Sequence, residues 1–346
     1  MKFPRSRNAR RPLFVPVALA ALAALAPGAL AAAPTALPSP GKGLNLLVVG
    51  IDSRKGVTPQ EKERFRLGGQ ECDCTDVMML VHVSARNDRV DVVSLPRDSL
   101  VSFPDPHRDR RTGKTHEAHQ AKINGAWAEG GSAYAVEVVE AATGVPVHRY
   151  LEIDFRRFMD TVDRVDGGVP ICTEKALVDP ATGIDLQPGT RPVGGGEALQ
   201  YVRSRKADGE MDFGRIRKQQ KFVVNTLEQL REGVLGDPGK LRRLAATLRG
   251  TGAAERGISA AELLELATRL RDLPADRTRF ATVPVRGFNP VVAGVGSTVG
   301  WDEKGAAKVF RRLREDRSLP TADEVAPSKV PAAAYRPASG ASLICP

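Results

Sequence analysis

The run Leu44-Asn45-Leu46-Leu47-Val48-Val49-Gly50-Ile51 is continuously apolar, the pattern of a strand buried on both faces. Residues 76–84 (DVMMLVHVS) give a second such run. Asn87-Asp88 then marks a turn, and 89–95 (RVDVVSL) alternates, so the pair reads as a hairpin. Further on, 132–143 (SAYAVEVVEAAT) has the pattern of an amphipathic helix stopped by Gly144. A strand at 147–153, a helix at 155–165, Gly167-Gly168 and a short strand at 169–171 follow. Strands mixed with helices around buried runs predict an α/β fold, a three-layer α/β/α sandwich on a mixed central sheet.

From Arg215 the chain reads as helical, with further helices near 238–249 and 259–272, a strand at 278–285 and a helix at 302–315. One domain over 44–318 accounts for these elements, and 319–346, rich in Pro and Ala, reads as a loose tail pinned at Cys345. Segment 102–121 is polar and carries His107, His116 and His119. The HEAH sequence lacks the i,i+4 spacing of a helical zinc motif, so the segment reads as a solvated mobile loop.

Charge and the N-terminus bound the partners. A net charge of +10 asks for an anionic one. Lys2, Arg5, Arg7, Arg10 and Arg11 precede an apolar stretch from Leu13 to Ala26, then Pro27-Gly28 and Ala29-Leu30-Ala31. That order is an export signal over 1–33, cleaved or kept as a membrane anchor, since about 20 apolar residues span a bilayer. Residues 34–43 then read as a linker. The bulk of the chain is therefore expected outside the cytoplasm, in the cell envelope and away from nucleic acid. Four cysteines, Cys72, Cys74, Cys172 and Cys345, are expected to form structural disulfides there, with three pairings open.

Three places put charge where a plain fold would not need it. Asp52 ends the first strand and Asp76 starts the second; carboxylates at strand ends can hold a hard cation. Ser94-Leu95-Pro96-Arg97-Asp98-Ser99 sets a planar guanidinium, matched to phosphate oxygens, directly after a buried strand. The densest cluster is Tyr201-Val202-Arg203-Ser204-Arg205 followed by Asp212 to Gln220. Arg203 and Arg205 share a face if 199–205 is extended. Arg215 and Gln219 share a face of a helix opening after Gly214, whose first turn offers free N–H groups. Such donors suit a polyanion such as a pyrophosphate.

The ordered blocks GID-S, TDVMMLVHV, SLPRDS, KINGAWAEGG, DFRRFMDTVDRVDGGV and YVRSRKADGEMDFGRIRKQQ resemble the LytR-CpsA-Psr phosphotransferases over roughly 44–230. The resemblance implies an apolar tunnel for a polyprenyl tail and a magnesium-dependent transfer of a glycan phosphate from a polyprenyl-pyrophosphate carrier to peptidoglycan. It implies Asp52 and Asp76 as magnesium ligands and Arg97, Arg203, Arg205 and Arg215 as the pyrophosphate clamp, with Gln219 beside them. Arg97, Asp98 and Asp76 are the catalytic candidates, with the general base left open and Asp98 the one residue offered for it, and Lys122 and Asn124 would support the site. Many relatives carry Arg-Ser-Asp where this chain has Cys74-Thr75-Asp76, so one phosphate-facing arginine is missing. A polyprenyl-pyrophosphate hydrolase and a non-catalytic lipid-pyrophosphate binder are the alternative readings. A serine hydrolase or P-loop enzyme is a poor fit, since Gly-x-Ser-x-Gly and Gly-x4-Gly-Lys are absent.

Overall fold

The computed structural model describes residues 41–68, 74–104, 106–110, 112–206, 209–234, 236–247 and 256–346. The export segment, linker residues 34–40 and Cys72 lie outside the described residues. Six strands form the central sheet: β1 Leu44–Ile51, β2 Thr75–Val83, β3 Val90–Ser94, β4 Arg149–Ile153, β5 Thr278–Thr282 and β6 Ala338–Ser339. Their order is β6-β5-β3-β2-β1-β4. β1 runs antiparallel to β2 and parallel to β4, and β3 runs parallel to β5, so the sheet is mixed as expected.

The helices are α1 Pro59–Arg64, α2 Ala126–Thr143, α3 Phe155–Val162, α4 Gly195–Arg203, α5 Met211–Gly233, α6 Pro238–Thr247, α7 Ala260–Leu270 and α8 Glu303–Arg314. Alternation along β1 explains the layering. Leu47, Val49 and Ile51 pack with Val138 and Val139 of α2 and Val309 and Phe310 of α8. Leu44 and Leu46 face the opposite way, toward Val224 of α5 and Leu266 of α7. α3 and α4 share a third cluster with Phe222 of α5, built on Phe155, Met159, Leu199 and Val202. α2 ends where Gly144 turns left-handed at φ 64°, and it is interrupted at Gly131, φ 76°. The helix read from sequence at 132–143 is the part beyond that break. Among the described residues no helix is long and apolar enough to cross a membrane.

Two expectations change. Segment 102–121 is not one irregular loop: Leu100–Phe103 pairs with His119–Lys122, and His107–Arg108 with Thr115–His116. Phe103, fully buried in the α2 core, anchors this fold-back. Nor is 319–346 loose. Leu319, Val325 and Tyr335 enter the core, β6 pairs with the edge strand β5, and Cys345 is bonded to Cys172. A few apolar side chains among the prolines and alanines suffice, because proline gives up little entropy on docking. Cys345→Ser is expected to lower unfolding free energy by about 2–4 kcal/mol. Denaturant titration under oxidising conditions checks this, and an unchanged midpoint would mean that the β6 ladder and the buried tail side chains hold the segment without the disulfide.

Candidate active site

Antiparallel pairing of β1 with β2 brings Asp52 and Asp76 to the same end of two central strands. Ile51 stands opposite Thr75 after an irregularity at Gly50, and the Asp52 N–H donates to the Cys74 carbonyl at 3.2 Å. The Asp52 carboxylate is gripped by Arg54, Nε to Oδ1 at 3.1 Å and Nη2 to Oδ2 at 3.2 Å. Burial raises the Asp52 pKa against that pairing, and the Asp76 charge adds to the rise. Arg54 had no role in the sequence reading, although it lies two residues from Asp52.

Arg97 leaves β3 and lies between Asp76 and Asp212. Its Nη1 donates to Asp76 Oδ1 at 2.5 Å, its Nε to Asp212 Oδ2 at 3.2 Å, and Asp98 Oδ2 is 3.6 Å from the same Nε. Asp212 also accepts from Arg215 Nη2 at 3.3 Å, and its Oδ1 is 2.6 Å from Arg205 Nε, an ion pair whose N–H is not aligned on the oxygen. Arg215 reaches Asp76 as well, with Nη1 at 3.9 Å from Oδ2. Burial works against the Asp76 charge, but Arg215 and Arg97 outweigh it and hold the carboxyl below its ordinary pKa. Asp212 is thus the acid at which three guanidinium groups meet. Its signal in sequence was its i,i+3 spacing from Arg215 on the first turn of a helix.

Residues 199–205 are not extended. Arg203 is the last residue of α4, and the chain is extended only from Ser204. Ala198, Leu199, Tyr201 and Val202, spaced as one helical face, are buried against α3 and the small sheets beside it. Gly196 lets Phe65 approach so closely that a Cβ there would stand 2.1 Å from the ring. The two arginines therefore part. Arg205 turns to Asp212, with its backbone N–H held by Asp179 Oδ2 at 2.7 Å. Arg203 lies over the Phe155 ring at 5.2 Å. α5 also begins earlier than expected, at Met211, so Gly214 is inside its first turn. Arg215 and Gln219 still share a face, and the Gln219 amide donates to the Val202 carbonyl at 3.2 Å, tying α5 to the residue before Arg203.

Arg203, Arg215, Asp76 and Gln219 line a cavity of 140 Å³ whose other walls are largely apolar, among them Val48, Val77, Phe158 and Phe222. A second cavity of 330 Å³ shares Val48, Met79 and Val223 with it and runs on between the sheet and α5 and α7, past Val81, Val92, Leu266 and Phe280. Arg203 Nη1 and Arg215 Nε are buried with no hydrogen-bond partner. Among the described residues no carboxylate lies within 4.0 Å of the Arg203 guanidinium. Burial lowers the pKa of both arginines. A buried cation with unused donors is costly, and an anion placed between such groups offsets that cost.

Asp98 Oδ1 is ion-paired with Lys122 Nζ at 2.9 Å, and Asn124 N–H donates to the Arg97 carbonyl at 3.2 Å. The KING block therefore braces the strand-end segment that carries Arg97. Cys74 is disulfide-bonded.

The LytR_cpsA_psr family model matches residues 30–315. The chain is 32% identical over 274 residues to the probable cell wall biosynthesis protein LcpB of Corynebacterium glutamicum, covering 79% of this chain and 61% of that protein. It is 29% identical over 261 residues to the cell wall biosynthesis protein LcpA of the same organism, covering 70% and 50%. The chain thus spans only half to three-fifths of these relatives' length. Its fold is shared with Bacillus subtilis TagV, TM-score 0.59 at 22% identity over 80% of this chain and 99% of that one. TagT bound to LIIa-WTA gives 0.58 at 21% identity, covering 82% and 94%.

Proposed function

This chain belongs to the LytR_cpsA_psr family, and on that premise we propose that it transfers a glycan phosphate from a polyprenyl-pyrophosphate carrier to a hydroxyl of peptidoglycan, outside the cytoplasm. The observation that carries this reading is the meeting of unsatisfied, buried guanidinium nitrogens on Arg203 and Arg215 with an apolar hollow. The ligand class that satisfies both is an amphiphile with an anionic head and a long hydrocarbon tail, and the second cavity gives room for more of the tail. A Bacillus subtilis relative, 34% identical over 158 residues (44% of this chain and 38% of that protein), is named a polyisoprenyl-teichoic acid–peptidoglycan teichoic acid transferase, which supports glycopolymer ligation.

Arg97, Arg203, Arg205 and Arg215 would hold the phosphate oxygens, with Asp76 and Asp212 fixing where Arg97 and Arg215 point. Magnesium suits Asp52 and Asp76. Both are hard oxygen donors on neighbouring strands, and this ion is usually held by one or two carboxylates with substrate phosphates completing its shell. When bound it would neutralise pyrophosphate charge. The acceptor hydroxyl attacks the glycan-side phosphorus, the bond to the carrier phosphate breaks, and polyprenyl phosphate leaves. Asp98, next to Arg97 and about a quarter exposed, is assigned to take the hydroxyl proton. Phosphoryl transfer of this kind depends mainly on positioning and charge neutralisation.

The test incubates the full chain with carrier-linked glycan, magnesium and peptidoglycan fragments and reads products by mass spectrometry. Glycan-bearing fragments and polyprenyl phosphate are expected. Free glycan phosphate in their place would make the protein a hydrolase. Bound but unconverted carrier would make it a binding protein.

A further inference from the structure

The polar fold-back that sequence spacing set aside brings three histidines to one carboxylate. His107 and His116 face each other in register, with ring centroids 5.7 Å apart, and the His119 ring lies 5.7 Å from His116 and 6.0 Å from His107. Glu129 comes from α2 just before its break at Gly131, where the Glu129 carbonyl accepts the Arg110 N–H at 2.7 Å. Glu129 Oε2 stands 3.0 Å from His107 Nε2 and 3.5 Å from His119 Nε2. One donor atom each from His116, His119 and Glu129 lie within 4.8 Å of one another.

We propose that His116, His119 and Glu129 bind one divalent cation of the zinc type, with His107 steadying the carboxylate. Two imidazoles and a carboxylate form a zinc ligand set, with bonds of about 2.0–2.2 Å, whereas magnesium selects oxygens. The site is therefore chemically distinct from Asp52 and Asp76. His119 Nδ1 lies 2.9 Å from the Glu117 carbonyl; a proton held there leaves the Nε2 lone pair directed to the metal, the second-shell arrangement usual behind metal-bound histidine. His107 stacks on Tyr134 at 3.9 Å between centroids, which fixes its ring beside Glu129, and its Nδ1 is buried without a partner. His116 and His119 remain 37% and 31% exposed, so a cation reaches them from solvent. A tetrahedral ion needs its donors roughly 3.3–3.6 Å apart, a small contraction of the present cluster. The strand His119–Lys122 has a proposed ligand at one end and, at the other, the lysine that holds Asp98. The metal thus acts as a positioning clamp on that strand.

The test uses the full chain without a histidine tag, stripped with a chelator and dialysed against zinc. One zinc per chain by elemental analysis is expected, with a Tm rise of about 3 °C or more at saturation. Both should persist in Asp76→Asn and in millimolar magnesium. Both should vanish in His116→Ala/His119→Ala, and the isosteric Glu129→Gln should weaken zinc by about tenfold or more with an unchanged circular-dichroism spectrum. Zinc uptake below about 0.1 per chain, or unchanged affinity in Glu129→Gln, would overturn the proposal.

Discussion

Arg97→Ala is expected to lower glycan transfer by about 10²–10³-fold, the usual cost of removing one donor that acts on transition-state charge. The protein should still unfold cooperatively. Arg215 remains on Asp76, and Arg205 and Arg215 remain on Asp212, so neither acid is stranded. The accompanying stability loss is about 1–3 kcal/mol, the range for a hydrogen bond to a charged group. Arg97→Lys restores charge but lacks the fork that bonds Asp76 and Asp212 from two nitrogens, and it should recover only a small part of the rate. If Arg203 and Arg215 hold the head group as proposed, the loss should fall on kcat more than on KM. Wild-type transfer by Arg97→Ala would place the reacting phosphate elsewhere.

Val223→Phe should separate tail binding from head-group chemistry. Val223 lines both cavities, so a phenyl ring there would take up room in each. Each buried methylene is worth about 0.8 kcal/mol, so excluding only two or three carbons of a tail weakens binding by about tenfold or more. Transfer from a long polyprenyl carrier is expected to fall by that factor through KM. A short-chain, water-soluble pyrophosphate carrier should react at the wild-type rate. Overpacking typically costs about 1–3 kcal/mol of stability, and the empty volume reduces that. Equal losses with long and short carriers would remove the hollow from substrate binding.

Much of the candidate site could be read before the structure because it lies at strand ends. Asp52 follows β1 and Asp76 opens β2, and antiparallel pairing of successive strands puts those two ends together. Arg97, directly after β3, follows from the same rule. The stretch 199–205 is ambiguous in sequence because its apolar residues fit a short strand as well as a helix turn. The decision came from Gly196 packing under Phe65 and from the α3 face that α4 covers. Asp212 was passed over because its importance lies in partners far off in sequence, Arg97 being 115 residues away. Spacing alone does not mark the histidines as ligands. A rule written for ligands one helical turn apart does not describe His116 and His119, which sit on two short strands and meet Glu129 from a helix.

The layered sheet and the kinds of side chain available to the site are legible along the chain, because burial period and residue chemistry are local properties. Which cations are neutralised is settled by packing. Arg205 and Arg54 find acids, while Arg203 is buried over Phe155, its Nη1 without a hydrogen-bond partner and no carboxylate within 4.0 Å among the described residues. Charge pairing falls off within a few ångströms, and distances of that order between residues far apart in sequence are set by packing.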